Sequence, residues 1–202
     1  HYNAYTPFSA VVKGLGGGKH HLKVIADNSF GPQSALHVPN DYQSYGGITR
    51  PVVLEELNDS YITGIHFTPV RKDGKWYSSV QGELQNISDH FFRGKVILYL
   101  GEQEIHSAVV EAGPDSKAAF TAENLPCGQA EEWSPENPVL YHLTAVLQDG
   151  MGNDMDDWID RVGFREIRME GKDILLNGRK IRIKGFCRHE DHPQFGCAIP
   201  FQ

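Results

Sequence analysis

The sequence is poor in basic residues, in cysteines and in long apolar runs. No apolar run approaches the ~18 residues that a membrane-spanning helix needs, so no membrane partner is expected. The 19 Lys and Arg stand against 26 Asp and Glu, and the formal net charge is −7. A polyanion requires a basic face, so the charge argues against a nucleic-acid partner. The odd set Cys127, Cys187 and Cys197 is no disulfide framework, which predicts free thiols in a reducing, cytoplasmic compartment.

Helix signals are nearly absent as well. No amphipathic period of 3.6 residues is sustained over 11 residues, and residues 118–125 favour at most one helical turn. Between Trp133 and Tyr141, Pro135 and Pro138 remove backbone donors and fix φ, so this segment is predicted to be an extended connection. Trp133 and Tyr141 are expected to be largely buried at its two ends.

Short alternating segments, each bounded by turn residues, dominate the chain. They recur roughly every 10 to 15 residues, a spacing that is typical of an antiparallel β-sandwich. A glycine-rich turn over residues 14–18 joins the first two segments into a predicted hairpin. The predicted strands are Val11–Val12, Leu22–Ala26, Val52–Leu54, Tyr61–Thr68, Trp76–Leu84, Lys95–Leu100, Glu104–Val110 and Leu140–Leu147.

The pattern changes after Arg165. Residues 166–170 and 173–176 read as a hairpin, and Asn177-Gly178 is the strongest short hairpin signal in the chain. A further strand is predicted from Arg179 to Phe186. It leads into a dense polar cluster, Cys187-Arg188-His189-Glu190-Asp191-His192-Pro193.

Three segments are candidates for chemistry when they are taken alone. The cluster Gly14–Lys19 is similar to a phosphate-binding loop, but such a loop ends in Lys-Ser/Thr and opens a helix, so a flexible turn is favoured. Zinc ligation by Cys187, His189, His192 and Cys197 is an alternative that the absence of an HExxH pattern weakens. Asp41 is flanked by aromatic residues and glycines, as in a sugar-binding loop, although it equally suits the cap of a turn.

Taken together, the motifs resemble glycoside hydrolase family 2, the β-glucuronidase and β-galactosidase group. The resemblance covers nearly the whole chain, with residues 71–129 matching only as a strand pattern. The stretches that carry it are Tyr5-Thr6-Pro7-Phe8, Asp41 to Arg50, Trp133 to Tyr141, Val162-Gly163-Phe164-Arg165, Leu176-Asn177-Gly178, and Lys184-Gly185-Phe186 through His189-Glu190-Asp191.

The resemblance implies a mainly β chain in three parts. Residues 1–55 would be the C-terminal part of a jelly-roll sugar-binding domain, and residues 56–164 an immunoglobulin-like β-sandwich. Residues 165–202 would be the entry hairpin and first strand of a truncated (β/α)8 barrel. The chain starts at His1 without a signal-peptide pattern, and we expect it to be an internal piece of a longer enzyme.

The resemblance also suggests roles for single residues. Asp41 matches a jelly-roll loop acid that binds a substrate hydroxyl, and His189 matches a histidine that lines the sugar pocket after the first barrel strand. Residues at the C-terminal ends of barrel strands face the active site, which supports His189 independently. Arg188, Glu190 and Asp191 are expected to support the site, or to form an ion-pair network that ties domains together.

No catalytic residue is predicted within the chain. The family's two catalytic glutamates lie further along the barrel, one of them after an Asn, and the sequence contains no Asn-Glu dipeptide. Glu190 and Asp191 are sequence neighbours at the end of a predicted strand, where adjacent side chains tend to point to opposite faces, so they are not expected to form the carboxyl pair that a retaining glycosidase needs. The chain alone is therefore expected to be inactive.

The expected partner is a carbohydrate, either a β-glucuronide or a β-galactoside, with no cofactor and no metal. Whether the parent protein forms a homo-oligomer is left open. One alternative is a stand-alone carbohydrate-binding or adhesion sandwich, which has no need of the hairpin and polar cluster after residue 165. Another is a structural domain of a surface protein, for which no positive feature is present.

Overall fold

The computed structural model describes residues 6–29, 31, 45–188 and 191–200. All regular elements within these ranges are β-strands, so this part of the chain is all-β. No helix in it is long and apolar enough to cross a membrane. The chain divides into two compact units, residues 1–54 together with 185–202, and residues 55–184.

Residues 55–184 contain a sandwich of two antiparallel sheets. One sheet has the order β1-β2-β5 and the other the order β4-β3-β6-β7, so the chain passes between sheets after β2, β4 and β5. This arrangement confirms the predicted antiparallel sandwich. Its strands are β1 (Ser60–Lys72), β2 (Lys75–Asn86), β3 (Phe92–Leu100), β4 (Gln103–Ala112), β5 (Ser116–Pro126), β6 (Tyr141–Gln148) and β7 (Asp154–Val162).

The core of the sandwich follows from alternation along the strands. In β2 every second residue from Trp76 to Asn86 is buried, while the residues between them are exposed or half-buried. Successive side chains of a strand point to opposite faces, so one face of each sheet packs inward. The buried side chains that pack together are Ile62, Val80, Leu84, Val96, Leu98, Val110, Ala112, Phe120, Ala122, Leu125, Ala145 and Leu147.

A second, aromatic cluster lies where β2 and β6 begin. Phe164 has no solvent exposure, and its ring centroid lies 5.5 Å from those of Phe67 and Tyr141 and 5.6 Å from that of Trp76. Two of these contacts are edge-to-face, which suits the aromatic quadrupole. Cys127 is buried in the same cluster as a free thiol, and burial raises its pKa.

A small third sheet of order β10-β9-β8 ends this unit. Its strands are β8 (Ile167–Glu170), β9 (Asp173–Leu176) and β10 (Arg179–Lys180), so the predicted hairpin is confirmed. Asn177 and Gly178 have φ of 51° and 76°, the left-handed conformations that a two-residue hairpin turn requires. The predicted strand 179–186 is shorter than expected because β9 offers only four residues for pairing.

Three further kinds of expectation are corrected: a helical turn, several strands and the burial of two aromatic residues. Residues 118–125 form no helical turn, because Phe120 and Ala122 alternate inward in β5 and pair with β2. Among the described residues, 11–12, 22–26 and 52–54 form no strands. Their large apolar side chains are mostly exposed, and a strand without packed neighbours is marginal in water. Trp133 and Tyr141 are half-buried rather than largely buried.

Candidate functional site

The predicted sugar contacts, Asp41 and His189, fall in segments of the sequence that the structure does not describe. Asp41, His189 and Glu190 lie outside the described residues, as does Tyr5 of the first family-like stretch. Arg188 and Asp191 are described, and both are exposed. The geometry of the candidate site is therefore built from the residues that flank Asp41 and His189 in the sequence.

Tyr45 and Asp191 join the two predicted segments. The Tyr45 hydroxyl donates a hydrogen bond to Asp191 Oδ1 at 2.6 Å, across 146 residues of sequence. Such a length is typical of an O–H donor to an ionised carboxylate. The hydrogen bond to Asp191 raises the pKa of Tyr45 above its usual value near 10, because the donated proton is held more firmly. Burial and the charge of Asp191 act in the same direction.

A tight turn presents its backbone to the Tyr45 ring. His192 and Gly196 exchange backbone hydrogen bonds of 2.9 and 2.8 Å, which close the turn between them. Gly196 has a φ of 55°, and a Cβ at this position would lie 2.9 Å from atoms of the Tyr45 ring. Only glycine suits both this conformation and this close approach.

Arg50 provides a second polar link within this unit. Its Nη1 donates to the backbone oxygens of Thr49 at 3.0 Å and of Cys197 at 3.2 Å. The Tyr45 junction, as defined here, comprises Tyr45, Arg50, Asp191, Gly196 and Cys197. It therefore combines a charge-assisted hydrogen bond, a steric contact with a glycine and a guanidinium–carbonyl bond.

The His192 side chain makes two contacts within the turn that it begins, next to the Tyr45 junction. Its Nδ1 accepts a hydrogen bond of 3.1 Å from the backbone N–H of Gln194. Its ring stacks on Phe195 with centroids 4.9 Å apart and planes inclined at 30°. A nitrogen that accepts a backbone proton has no lone pair left for a metal, so only Nε2 remains available.

The zinc alternative receives no support from the described part of the chain. Cys187 is exposed, Cys197 is half-buried, and both are free thiols. Within the described ranges no three His, Cys, Asp or Glu residues are grouped so that they could hold a metal ion. The described members of the proposed set are thus not gathered, and His189 lies outside the described residues.

The glycine cluster near the start is a local turn. His20 Nε2 lies 2.7 Å from the Gly16 carbonyl oxygen, and Gly14 and Gly18 have positive φ. No helix follows Lys19 within residues 6–29, whereas a phosphate-binding loop opens one. The favoured interpretation of this segment as a turn therefore agrees with the structure.

The motifs at residues 133, 162–165 and 176–178 form a structural joint in the unit 55–184. Asn177 Nδ2 donates to the Trp133 carbonyl at 3.0 Å, while its Oδ1 accepts from the Glu166 N–H at 2.9 Å. Trp133 N–H donates to the Phe164 carbonyl at 2.9 Å. The Arg165 guanidinium lies 4.9 Å from the Trp133 ring centroid, as in a cation–π contact. These residues connect the sandwich to the sheet β8–β10.

The outer face of the sheet β1-β2-β5 carries a shallow depression of about 540 Å³. Glu83 at its edge accepts hydrogen bonds from Lys117 Nζ at 2.6 Å and from Thr63 Oγ1 at 2.9 Å. The hydrogen bond from Lys117, followed by that from Thr63, lowers the pKa of Glu83. A carboxylate paired in this way is an ordinary cross-strand contact and is a poor proton donor.

The comparisons with known proteins point to one family. The family model "Glycosyl hydrolases family 2" matches residues 60–165. A β-galactosidase of Thermoanaerobacterium thermosulfurigenes is 27% identical over 99% of this chain and 29% of its own length. A β-glucuronidase of Paenibacillus borealis is 31% identical over 75% of this chain and 24% of its own length.

Two solved structures also match this chain. A GH2 β-galacturonidase from Eisenbergiella tayi bound to galacturonate is 59% identical, with a TM-score of 0.82, over 87% of this chain and 31% of that one. The β-glucuronidase of Bacteroides uniformis has a TM-score of 0.62 at 21% identity over 71% of this chain and 19% of its own, a likeness of fold alone. The chain thus spans less than a third of the length of each of these relatives.

Proposed function

The chain belongs to glycosyl hydrolases family 2, and from that premise we propose that it is part of a retaining β-glycosidase that releases a terminal β-galacturonic acid. The observation that carries this proposal is the 59% identity to the Eisenbergiella tayi β-galacturonidase, over 87% of the chain. The relatives named β-galactosidase and β-glucuronidase share far less of the sequence, 27% and 31%.

The proposed sugar also reconciles the two substrates that the motifs leave open. Galacturonate has the axial C4 hydroxyl of galactose and the C6 carboxylate of glucuronate. An enzyme for it needs the hydroxyl contacts of one group and the carboxylate contacts of the other. The resemblance to the family implies that the basic residues that hold a uronate carboxylate would lie outside these 202 residues, and the present residues would then serve the hydroxyls.

The proposed architecture assigns residues 1–55 to a jelly roll, 56–164 to an immunoglobulin-like sandwich and 165–202 to the start of a (β/α)8 barrel. The sandwich supports this assignment by its seven strands in two antiparallel sheets, with β5 beside β2 and β6 beside β3. It differs from the constant-type immunoglobulin order in placing β4 beside β3 instead of beside β5.

We assign the sugar contacts to Asp41 and His189. The support is indirect: Tyr45, four residues after Asp41, is hydrogen-bonded to Asp191, two residues after His189. An ionised Asp41 would accept hydroxyl hydrogens of the terminal sugar, and such charge-assisted bonds contribute about 1.5–3 kcal/mol. The two catalytic carboxylates would lie in the barrel, outside these 202 residues.

The experiment compares the full-length protein with the present chain on three p-nitrophenyl β-glycosides, the galacturonide, the glucuronide and the galactoside. The galacturonide differs from the glucuronide only at C4 and from the galactoside only at C6, so comparison with each of them isolates one recognition element. The full-length protein should prefer the galacturonide by at least about tenfold in kcat/KM. Asp41→Asn should lower that value by about one to two orders of magnitude.

Two results would contradict the proposal. A full-length protein that hydrolyses none of the three glycosides would refute the β-glycosidase assignment, and a preference for the glucuronide or galactoside would refute the choice of sugar. The chain alone should give no turnover above background. Turnover by the chain that Glu190→Gln abolishes would make Glu190 a catalytic residue.

A further inference from the structure

Asn177 and Gly178 form the only Asn-Gly dipeptide in the sequence. Asparagine is one of the chemically labile residues of proteins, and a following glycine leaves the backbone nitrogen unhindered because it has no Cβ. Gly178 is exposed, whereas Asn177 is half-buried and both polar atoms of its side-chain amide are hydrogen-bonded. The dipeptide therefore combines a reactive sequence with a side chain that is held in place.

We propose that Asn177 is a deamidation site that the fold protects while the sheet β8–β10 is hydrogen-bonded to the Trp133 segment, and that the product of the reaction prevents this bonding from forming again. The Asn177 joint, as defined here, comprises Trp133, Phe164, Glu166 and Asn177. All four residues lie in the unit 55–184. The inference does not depend on the proposed function, because the reaction consumes only water.

The reaction needs no oxidant and no cofactor. The Gly178 backbone nitrogen attacks Asn177 Cγ, so a nitrogen–carbon bond forms, the Cγ–Nδ2 bond breaks, and ammonia leaves with the proton of the Gly178 N–H. Solvent water then opens the cyclic imide at either of its two carbonyl groups. The products are aspartate, which restores the ordinary backbone, and isoaspartate, in which the main chain runs through Cβ and Cγ.

The hydrogen bonds of the joint oppose ring closure. Asn177 Oδ1 accepts from Glu166 N–H at 2.9 Å, Nδ2 donates to the Trp133 carbonyl at 3.0 Å, and the Asn177 N–H donates to the Glu166 carbonyl at 2.9 Å. These partners lie on other segments, so the amide must leave them to fold back onto its own backbone. The Glu166 N–H also stabilises negative charge on Oδ1, but this charge develops only after Cγ has reached the Gly178 nitrogen.

The products do not fit the closed joint. Aspartate before glycine suits a two-residue turn as well as asparagine does, so the turn itself would persist. An ionised aspartate has no proton to donate to the Trp133 carbonyl, and two acceptor oxygens would face each other where Nδ2 now lies 3.0 Å from that carbonyl. Isoaspartate adds one main-chain atom between Leu176 and Arg179, which pair across the turn. Either product therefore prevents the joint from closing as before.

Peptide mapping of the full-length protein tests the protection. Trypsin cleaves after Lys172 and Arg179, and residues 173–179 contain no second amide side chain, so the mass increase of deamidation in this peptide reports Asn177 alone. At mildly alkaline pH the native protein should deamidate at least about tenfold more slowly than the guanidinium-unfolded protein, because the reaction requires local opening. A synthetic peptide of residues 173–179 should match the unfolded protein, and Asn177→Gly should show no mass increase.

A variant that loosens the joint tests the cause of the protection. Trp133→Ala removes the ring beside which the Arg165 guanidinium lies, at 4.9 Å from its centroid. With its melting temperature above that of the incubation, this variant should deamidate at least about threefold faster than the native wild type. Phe91→Ala, at a side chain that is 61% exposed, is the matched control and should leave the rate unchanged. An unchanged rate in folded Trp133→Ala would overturn the inference.

Hydrogen exchange tests the effect of the product. Asn177→Asp in the full-length protein mimics deamidation and should speed exchange of the Trp133 and Asn177 amides by about tenfold, while amides of β2 stay as in wild type. Exchange equal to wild type at both amides would show that the joint closes around the product, and would overturn the inference. A native wild-type protein that deamidates as fast as the unfolded one would overturn it as well, whether or not the variants fold.

Discussion

Phe164 offers the sharpest test of how the sandwich is held together. Its side chain is fully buried and touches three aromatic rings, two of them edge-to-face. It also lies directly between β7, which ends at Val162, and β8, which begins at Ile167. Phe164→Ala would leave a cavity at the point where the sandwich passes into the next sheet.

The expected cost follows from the contacts. Full burial of a phenylalanine side chain contributes about 1.5–3 kcal/mol, and each favourable ring pair adds roughly 0.5–1.5 kcal/mol. Measured Phe→Ala substitutions in cores cost about 3–5 kcal/mol once the cavity is included. We expect about 4 kcal/mol here. With a urea m-value near 2 kcal/mol per molar, the midpoint of unfolding should fall by about 2 M.

The assay is urea unfolding of the chain, followed by tryptophan fluorescence, since Trp76 lies beside Phe164. Phe91→Ala is the matched control, because the same atoms are removed from a side chain that is 61% exposed. It should change the free energy of unfolding by less than about 0.5 kcal/mol. Equal losses for the two variants, or a loss under about 1.5 kcal/mol for Phe164→Ala, would refute the burial argument.

Two further predictions concern polar residues of the same unit. Burial raises the pKa of Asp156 above its ordinary 3.8, so the charged form weakens folding at neutral pH and this penalty disappears as the pH falls through the folded-state pKa. Asp156→Asn can still accept the hydrogen bond from Ile62 N–H, so it should be more stable than wild type at pH 7 and should lose that advantage near pH 4. Chemical denaturation of both proteins at the two pH values measures this. A difference in the free energy of unfolding that is the same at both pH values would contradict the prediction. Asn177→Ala should be more destabilising than Asn177→Gly by about 1 kcal/mol in thermal unfolding, because φ at this position is 51°. Equal destabilisation by the two substitutions would show that alanine adopts this positive φ without strain, and would contradict the prediction.

The parts of the fold that the sequence predicts are those with a local cause. Alternation in β2 places its buried face correctly, and Asn177-Gly178 forms the expected turn because few residue pairs adopt positive φ at two successive positions. The strand β7 escaped prediction. It carries Asp154, Asp156, Asp157 and Asp160, and such charges are tolerated because it is the edge strand of its sheet and pairs only with β6.

Non-local causes explain the errors. Residues 118–125 contain helix-forming alanines, but pairing with β2 decides their conformation. Valine favours strands and leucine is strongly apolar, yet Val52 and Leu54 are exposed in the structure and pair with no other strand. Propensity alone cannot supply the neighbouring strand that a segment needs for its backbone hydrogen bonds.

The candidate site also combines features that the sequence predicts with a non-local contact that it does not. The motifs named both segments of the Tyr45 junction, but no local rule pairs Tyr45 with a carboxylate 146 residues away. Asp41 and His189 remain predictions, since both lie outside the described residues. The assignment of domain boundaries at residues 55 and 164 also remains a prediction.

The family-like motifs therefore divide into two physical classes. Phe164 and Asn177 are held by packing and by backbone hydrogen bonds, so substitutions there should act on stability first and on catalysis only as a consequence. Tyr45 and Asp191 are exposed, so their loss should barely change unfolding. Melting temperature and kcat/KM of the full-length protein, measured for the same variants, would separate the two classes. Motifs that identify a family need not all serve its chemistry, and this separation of stability from turnover distinguishes those that do.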